Sequence, residues 1–191
     1  FPIALSLFIL HTINQRFRQR LLLSFLFALG FFGPMLHWSS SFVGSFPWIL
    51  LTVMSSLFYL PLAIALKGKK YLWIVFPAVW VTIELFRSRF PFGGFAWGRA
   101  GYLAVDSPYS ETLPYVGVAG ASLLFALLAV ALYQIISNFR VHWIPIFVAL
   151  SFIPQYQAPS VGSVTMVSIQ GNVPRLGYEI NTQVRKVFEN H

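Results

Sequence analysis

The sequence predicts an all-α polytopic membrane helix bundle of about five to six spans, followed by the first β-strand of a truncated α/β domain. Three observations lead there. Of the 191 residues, 57% are hydrophobic and 9% charged, whereas a soluble domain carries about 25% charged residues. Most Lys and Arg residues sit in short clusters between long apolar stretches, as orientation signals at a membrane surface do. After Pro154 the texture changes to a polar stretch, a β-branched run and then a charged tail.

The same composition excludes several functions. The net charge is +8, from 13 Lys and Arg against 5 Asp and Glu. No long basic run or stripe accompanies it, so nucleic acid is not expected as a partner. Anionic membrane lipid is the expected partner of the clusters. There is no cysteine, which removes disulfides, thiolate metal sites and thiol nucleophiles from these residues. The chain opens on Phe1-Pro2 inside an apolar run, without a basic n-region and cleavage site, and reads as a chain whose beginning is missing rather than as a signal peptide.

Residues 1–13 form the tail of a helix, closed by Arg16, Arg18 and Arg20. From Leu21 to Leu66 no charged residue occurs. That is about twice the length of one crossing, so the chain must reverse once, and the polar, helix-breaking run from His37 to Pro47 is the expected place. Lys67, Lys69 and Lys70 end the second helix, and Tyr71 to about Arg87 forms the next span. Residues 88–111, with Pro91, Gly93, Gly94, Gly98, Gly101 and Pro108, have neither helical nor strand periodicity and read as a long functional loop. Thr112 to Phe139 is a charge-free span, with Gly117, Gly120 and Ala121 as small packing residues. Val141 to Ile153 is a shorter span, Val164 to Ile169 a short strand, and Glu179 to His191 a solvated helix. The resulting division is a transmembrane domain over 1–155, and 156–191 as the start of a second domain.

Counting crossings puts the connectors 16–20, 67–70 and 138–140 on one side, the cytoplasm by the positive-inside rule. The loop 88–111 and the terminal strand then lie outside. Arg87, Arg89 and Arg99 break the charge bias on that outer side and are expected to serve something other than topology.

Candidate chemistry is sparse. Glu84 is the only acidic residue in a predicted span, and Arg87, three residues on, is close enough on a helix to pair with it. The bland reading is an ion pair at a helix end. The loop Phe90-Pro-Phe-Gly-Gly-Phe-Ala-Trp-Gly-Arg99 places large rings at the membrane surface. An aromatic belt explains the rings but not Gly93, Gly94 and Gly98, which suggest a tight backbone beside a bound acyl chain or headgroup. His11, His37, His142 and His191 have no metal-ligand spacing, and no nucleophile elbow or phosphate-binding loop is present. No cofactor is expected.

Gly94-Phe95-Ala96-Trp97, Gly101-Tyr102 and Asp106-Ser107-Pro108, followed by a small-residue helix and Val167-Ser-Ile-Gln-Gly-Asn-Val-Pro174, resemble apolipoprotein N-acyltransferases, actinobacterial members in particular. Where family members commonly have Pro, this chain has Ala96. The resemblance implies a bacterial plasma-membrane enzyme with an extracytoplasmic nitrilase-like domain, of which the strand at 164–170 is the first. It implies a phospholipid acyl donor and a diacylglyceryl apolipoprotein acceptor. It also implies a Glu-Lys-Cys catalytic set that these residues lack, so the chain alone is expected to be inactive; separately, a monomer is expected. Gly94 and Trp97 match loop positions important in the family, and Phe95, Arg99, Glu84 and Arg87 join them as candidates for lipid access. The alternative is a non-catalytic anchor partnering a polyprenol-phosphate mannose synthase.

Overall fold

The structure is a computed structural model that describes residues 1–138, 144–154, 162, 166 and 167. Among the described residues every regular element is helical. In chain order these are α1 (Pro2–Thr12), α2 (Phe17–Leu36), a 3-10 turn at His37–Ser39, α3 (Ser40–Val43), α4 (Ser45–Leu57), α5 (Leu62–Ala65) and α6 (Leu72–Arg87). Two further 3-10 turns, Ala100–Ala104 and Ser110–Thr112, precede α7 (Leu113–Asn138) and α8 (Ile144–Leu150).

Three stretches are long and apolar enough to cross a membrane: Phe17–Ser39, Ser45–Ala65 and Ser110–Asn138. α1, α6 and α8, with 11, 16 and 7 residues, are shorter than the roughly 20 residues of a full crossing. The expectation of five to six spans is therefore supported for three by length and composition. The expected strand at 164–170 and the tail helix at 179–191 lie outside the described residues, apart from Met166 and Val167, which have no regular structure.

Each long helix buries one stripe and turns the rest outward. On α2 the buried residues are Arg20, Ser24, Ala28, Phe32 and Leu36, one every fourth position, which is one face of a helix with 3.6 residues per turn. On α7 they include Ala121, Ser122, Phe125, Ala126, Ala129, Val130, Tyr133 and Gln134, again one face. Both stripes are rich in small and hydroxyl side chains, which let helices in lipid approach closely where apolar burial gives no drive. The outward faces are apolar as well, with Leu22, Leu26, Leu123 and Ile136 exposed.

α7 is the centre of the bundle. It packs on α1, on α6 and on the 100–104 turn, while α2 packs on α4 and α5, and α5 on α6. The reversal between α2 and α4 falls where the polar run placed it, with Gly44 at φ 87° as the break that only glycine takes at little cost. The indole Nε1 of Trp48 donates to the Gly33 carbonyl at 3.0 Å, satisfying an acceptor that the end of α2 leaves open.

Two expectations change. The stretch 88–111 is a loop, but one that contains the two 3-10 turns and packs against α7. Gly117 is not a packing residue inside a continuous helix: it has φ 63°, ψ −176° and kinks α7 near its start. Composition alone could not tell these roles apart, because close approach and positive φ both select glycine.

Filling the small face of α7 should cost stability. Ala129→Leu is expected to destabilise the bundle by about 1–3 kcal/mol. Leu123→Ala, on the exposed face, should be close to neutral. Thermal unfolding of the two variants in the same detergent checks the contrast.

Candidate functional site

The loop returns to the bundle because its sequence forces a tight reversal immediately after α6. Phe92, Gly93 and Gly94 all have positive φ, at 52°, 90° and 80°. The Gly94 amide donates to the Pro91 carbonyl at 2.7 Å. A side chain at Gly94 would overlap the backbone of Ser88 and Arg89, so this position tolerates nothing larger than hydrogen. The reversal brings Phe95 back against the end of α6, where its amide donates to the Arg87 carbonyl at 2.8 Å.

Arg87 then holds the loop by its side chain. Nη1 donates to the Phe95 carbonyl at 2.8 Å and Nη2 to the Trp97 carbonyl at 2.7 Å. Its guanidinium lies over the Phe32 ring of α2, 4.8 Å from the centroid, and 5.9 Å from that of Phe95. Arg87 is 1% exposed; its two Nη groups and its π-face are occupied, as a charge in an apolar bundle requires, while its Nε has no hydrogen-bond partner among the described residues.

Glu84, fully buried one turn earlier, holds the other end of the loop. Its Oε1 accepts from Trp80 Nε1 at 2.9 Å and from the Ala100 amide at 2.7 Å. Its Oε2 lies 3.8 Å from Arg99 Nε, an ion pair without a hydrogen bond. The expected Glu84–Arg87 pair does not form: Arg87 reaches forward to loop carbonyls, and Arg99, fifteen positions after Glu84 in the sequence, is the paired cation. Spacing along a helix cannot anticipate a partner that a folded-back loop supplies. Beyond Arg99, the Gly101 amide donates to Ser122 Oγ on α7 at 2.8 Å. The gap there is narrow, since a side chain at Gly101 would collide with the Val118 carbonyl.

The pinned loop forms one wall of an open groove of about 360 Å³, lined by Met35, Leu36, Trp38, Trp97, Gly98 and Tyr102. The other wall is the end of α2 and the turn after it. Trp97 is 56% exposed, and its ring lies 5.1 Å from that of Trp38 at 33°. A Cβ at Gly98 would come within 2.5 Å of Met35 Cε, so glycine sets how closely the loop approaches α2. Further along the loop Tyr109 packs edge-on against Phe125 of α7 at 6.1 Å, and burial pushes its phenol above the ordinary tyrosine range.

Of the sequence candidates, the structure gathers Glu84, Arg87, Phe95 and Arg99 into the clasp and places Gly94 at the turn and Trp97 in the groove. Arg89 is exposed and stands apart. Sequence reasoning missed Trp80, whose i, i+4 spacing to Glu84 on one helix was a readable signal. It also missed Trp38, Met35 and Ser122, for which no local signal exists. Among the described residues no group of His, Asp or Glu could hold a metal ion.

Removing the clasp should loosen the loop. Arg87→Ala is expected to cost about 3–6 kcal/mol, since two hydrogen bonds from a charged donor are lost, each worth about 1.5–3 kcal/mol. Arg87→Lys should recover only part of this, because an ammonium lacks the planar fork. Thermal unfolding in detergent, with limited proteolysis at 88–99, reads both effects; a loop equally protected in Arg87→Ala would disprove the clasp.

The family model described as the apolipoprotein N-acyltransferase N-terminal domain matches residues 1–131. The apolipoprotein N-acyltransferase of Mycolicibacterium smegmatis is 32% identical over an alignment covering 87% of this chain and 33% of that protein. Its counterpart in Coxiella burnetii is 29% identical, covering 82% of this chain and 38% of its own length. That of Photobacterium profundum is 27% identical, over 91% of this chain and 38% of its own. The chain thus spans little more than a third of these relatives. No solved structure matches. With the family match covering most of its length, this membrane protein belongs to the apolipoprotein N-acyltransferase family.

Proposed function

We propose that the chain is the lipid-admitting membrane part of an enzyme that moves an acyl chain from a phospholipid to the N-terminal diacylglyceryl-cysteine of apolipoproteins. The observation that carries this reading is the groove between the end of α2 and the loop: apolar, open and walled by aromatic rings on a backbone pinned by buried charges. An acyl chain needs an apolar track, and a track that orients it needs walls that do not move. A plain anchor needs neither the clasp nor the groove.

In this reading the segments 1–13, 71–87 and 141–153, which contain α1, α6 and α8, lie in the bilayer together with the three longer stretches. The basic connectors lie in the cytoplasm, and the loop 88–111 lies at the outer surface of the plasma membrane, on the side of a nitrilase-like domain. The 191 residues contain no cysteine, so a thiolate step has no nucleophile among them. Their role is to deliver the lipid. Trp97 supplies the ring against which the chain lies, Phe95 and Arg99 shape the wall, Gly94 permits the turn, and Glu84 and Arg87 hold it in place.

Trp97→Ala in the full-length protein should lower acylation of a diacylglyceryl peptide from phospholipid by roughly tenfold, the loss expected from about 1.4 kcal/mol of aromatic contact with the chain. Trp97→Phe should restore most of it. Turnover at the parental rate in Trp97→Ala would refute the role of the groove.

A further inference from the structure

The opposite end of α6 carries a second pocket that the reading above does not use. It lies where α5 passes into α6, holds about 340 Å³, and has an apolar wall of Ile64, Ala65 and Val75 with Lys67, Lys70 and Tyr71 at its rim. Lys70 Nζ sits 5.1 Å from the Tyr71 ring centroid. Neither lysine pairs with a carboxylate among the described residues. Ile64 and Tyr71 are exposed, at 63% and 59%.

The charge around this pocket has one sign. Residues 1–83 carry six cations, Arg16, Arg18, Arg20, Lys67, Lys69 and Lys70, and no Asp or Glu. α2 and α4 are joined by the short reversal at 37–44 and pack on each other, and α5, further along the chain, packs on α2 as well, so the two helices run antiparallel. The start of α2, with its three arginines, therefore lies at the same end of the bundle as the lysines.

We propose that the pocket between α5 and α6 binds one anionic phospholipid, its phosphate between Lys67 and Lys70 and an acyl chain along Ile64 and Val75. Basic pockets between membrane helices suit such headgroups, with each lysine contributing charge attraction. A zwitterionic lipid would bring an ammonium close to these lysines with no nearby carboxylate to receive it. A free phosphate would leave the apolar wall uncovered. Tyr71 has the ring and hydroxyl that residues at headgroup depth typically present. The site sits at the far end of α6 from the Trp97 groove, so the proposal stands or falls independently of the acyl-transfer reading.

Native mass spectrometry of the purified chain, released from micelles holding equal amounts of phosphatidylglycerol and phosphatidylcholine, tests it. One phosphatidylglycerol should be retained in preference. Lys67→Gln with Lys70→Gln should weaken that binding by roughly thirty-fold, whereas Arg16→Gln with Arg18→Gln, an equal loss of charge, should change it little. Val75→Phe keeps every charge but fills the pocket, and should also abolish retention. Undiminished retention in Val75→Phe, or an equal loss in the arginine variant, would show diffuse charge attraction and overturn the site. So would equal retention of phosphatidylcholine. Displacement by inorganic phosphate alone would mean an ion site in place of a lipid site.

Discussion

Two ionisable side chains buried in α6, Glu84 and Arg87, constrain everything at the loop end of the molecule. In a hydrocarbon surrounding, a charge or backbone group without a partner costs several kcal/mol, so each must be answered from within the protein. Arg87 is answered by the carbonyls of Phe95 and Trp97, and Glu84 by the Trp80 indole, the Ala100 amide and Arg99. None of these partners except Trp80 lies on the same helix. The charges are therefore stable only if the loop folds back, and the loop has a fixed course only because the charges hold it. Such mutual dependence explains how a segment with five glycines among residues 93–117 forms a defined wall.

The glycines belong to the same constraint. Gly94 makes the turn that returns the chain to Arg87, Gly98 lets the loop close on Met35, and Gly101 lets it close on α7. Each would otherwise place a Cβ inside a neighbour. The exposed rings, Trp97 above all, are then carried on a backbone that touches α2, α6 and α7.

How much of this was legible depends on the kind of signal. The helical membrane bundle followed from charge-free stretches between basic clusters, and the reversal near Gly44 from a polar run. The faces of the helices were not legible. In water an amphipathic stripe marks the buried face, but here Leu22 and Leu26 face outward while Ser24 and Ala28 face inward, so hydropathy does not mark the buried side. The clasp was half legible: a lone Glu and a nearby Arg in an apolar span announced a polar site, and the loop's glycines announced a tight backbone. Which cation meets Glu84 depends on a contact sixteen positions away, between Ala100 and Glu84, and no periodicity encodes that.

Ala96 shows how the clasp acts. Members of the family that the loop resembles commonly carry proline here, which would fix φ at this position and stiffen the wall. This chain leaves the torsion free, yet the Arg87 guanidinium bonds the carbonyls on either side, Phe95 and Trp97, through two nitrogens of one rigid plane. Holding two carbonyls two residues apart restricts the peptide units between them much as a ring would, at the cost of burying a charge. That charge is in turn stable because Phe32 covers its face. Stiffness that proline would supply locally is supplied here by a contact between α6, α2 and the loop, so the shape of the groove depends on the packing of the bundle beneath it.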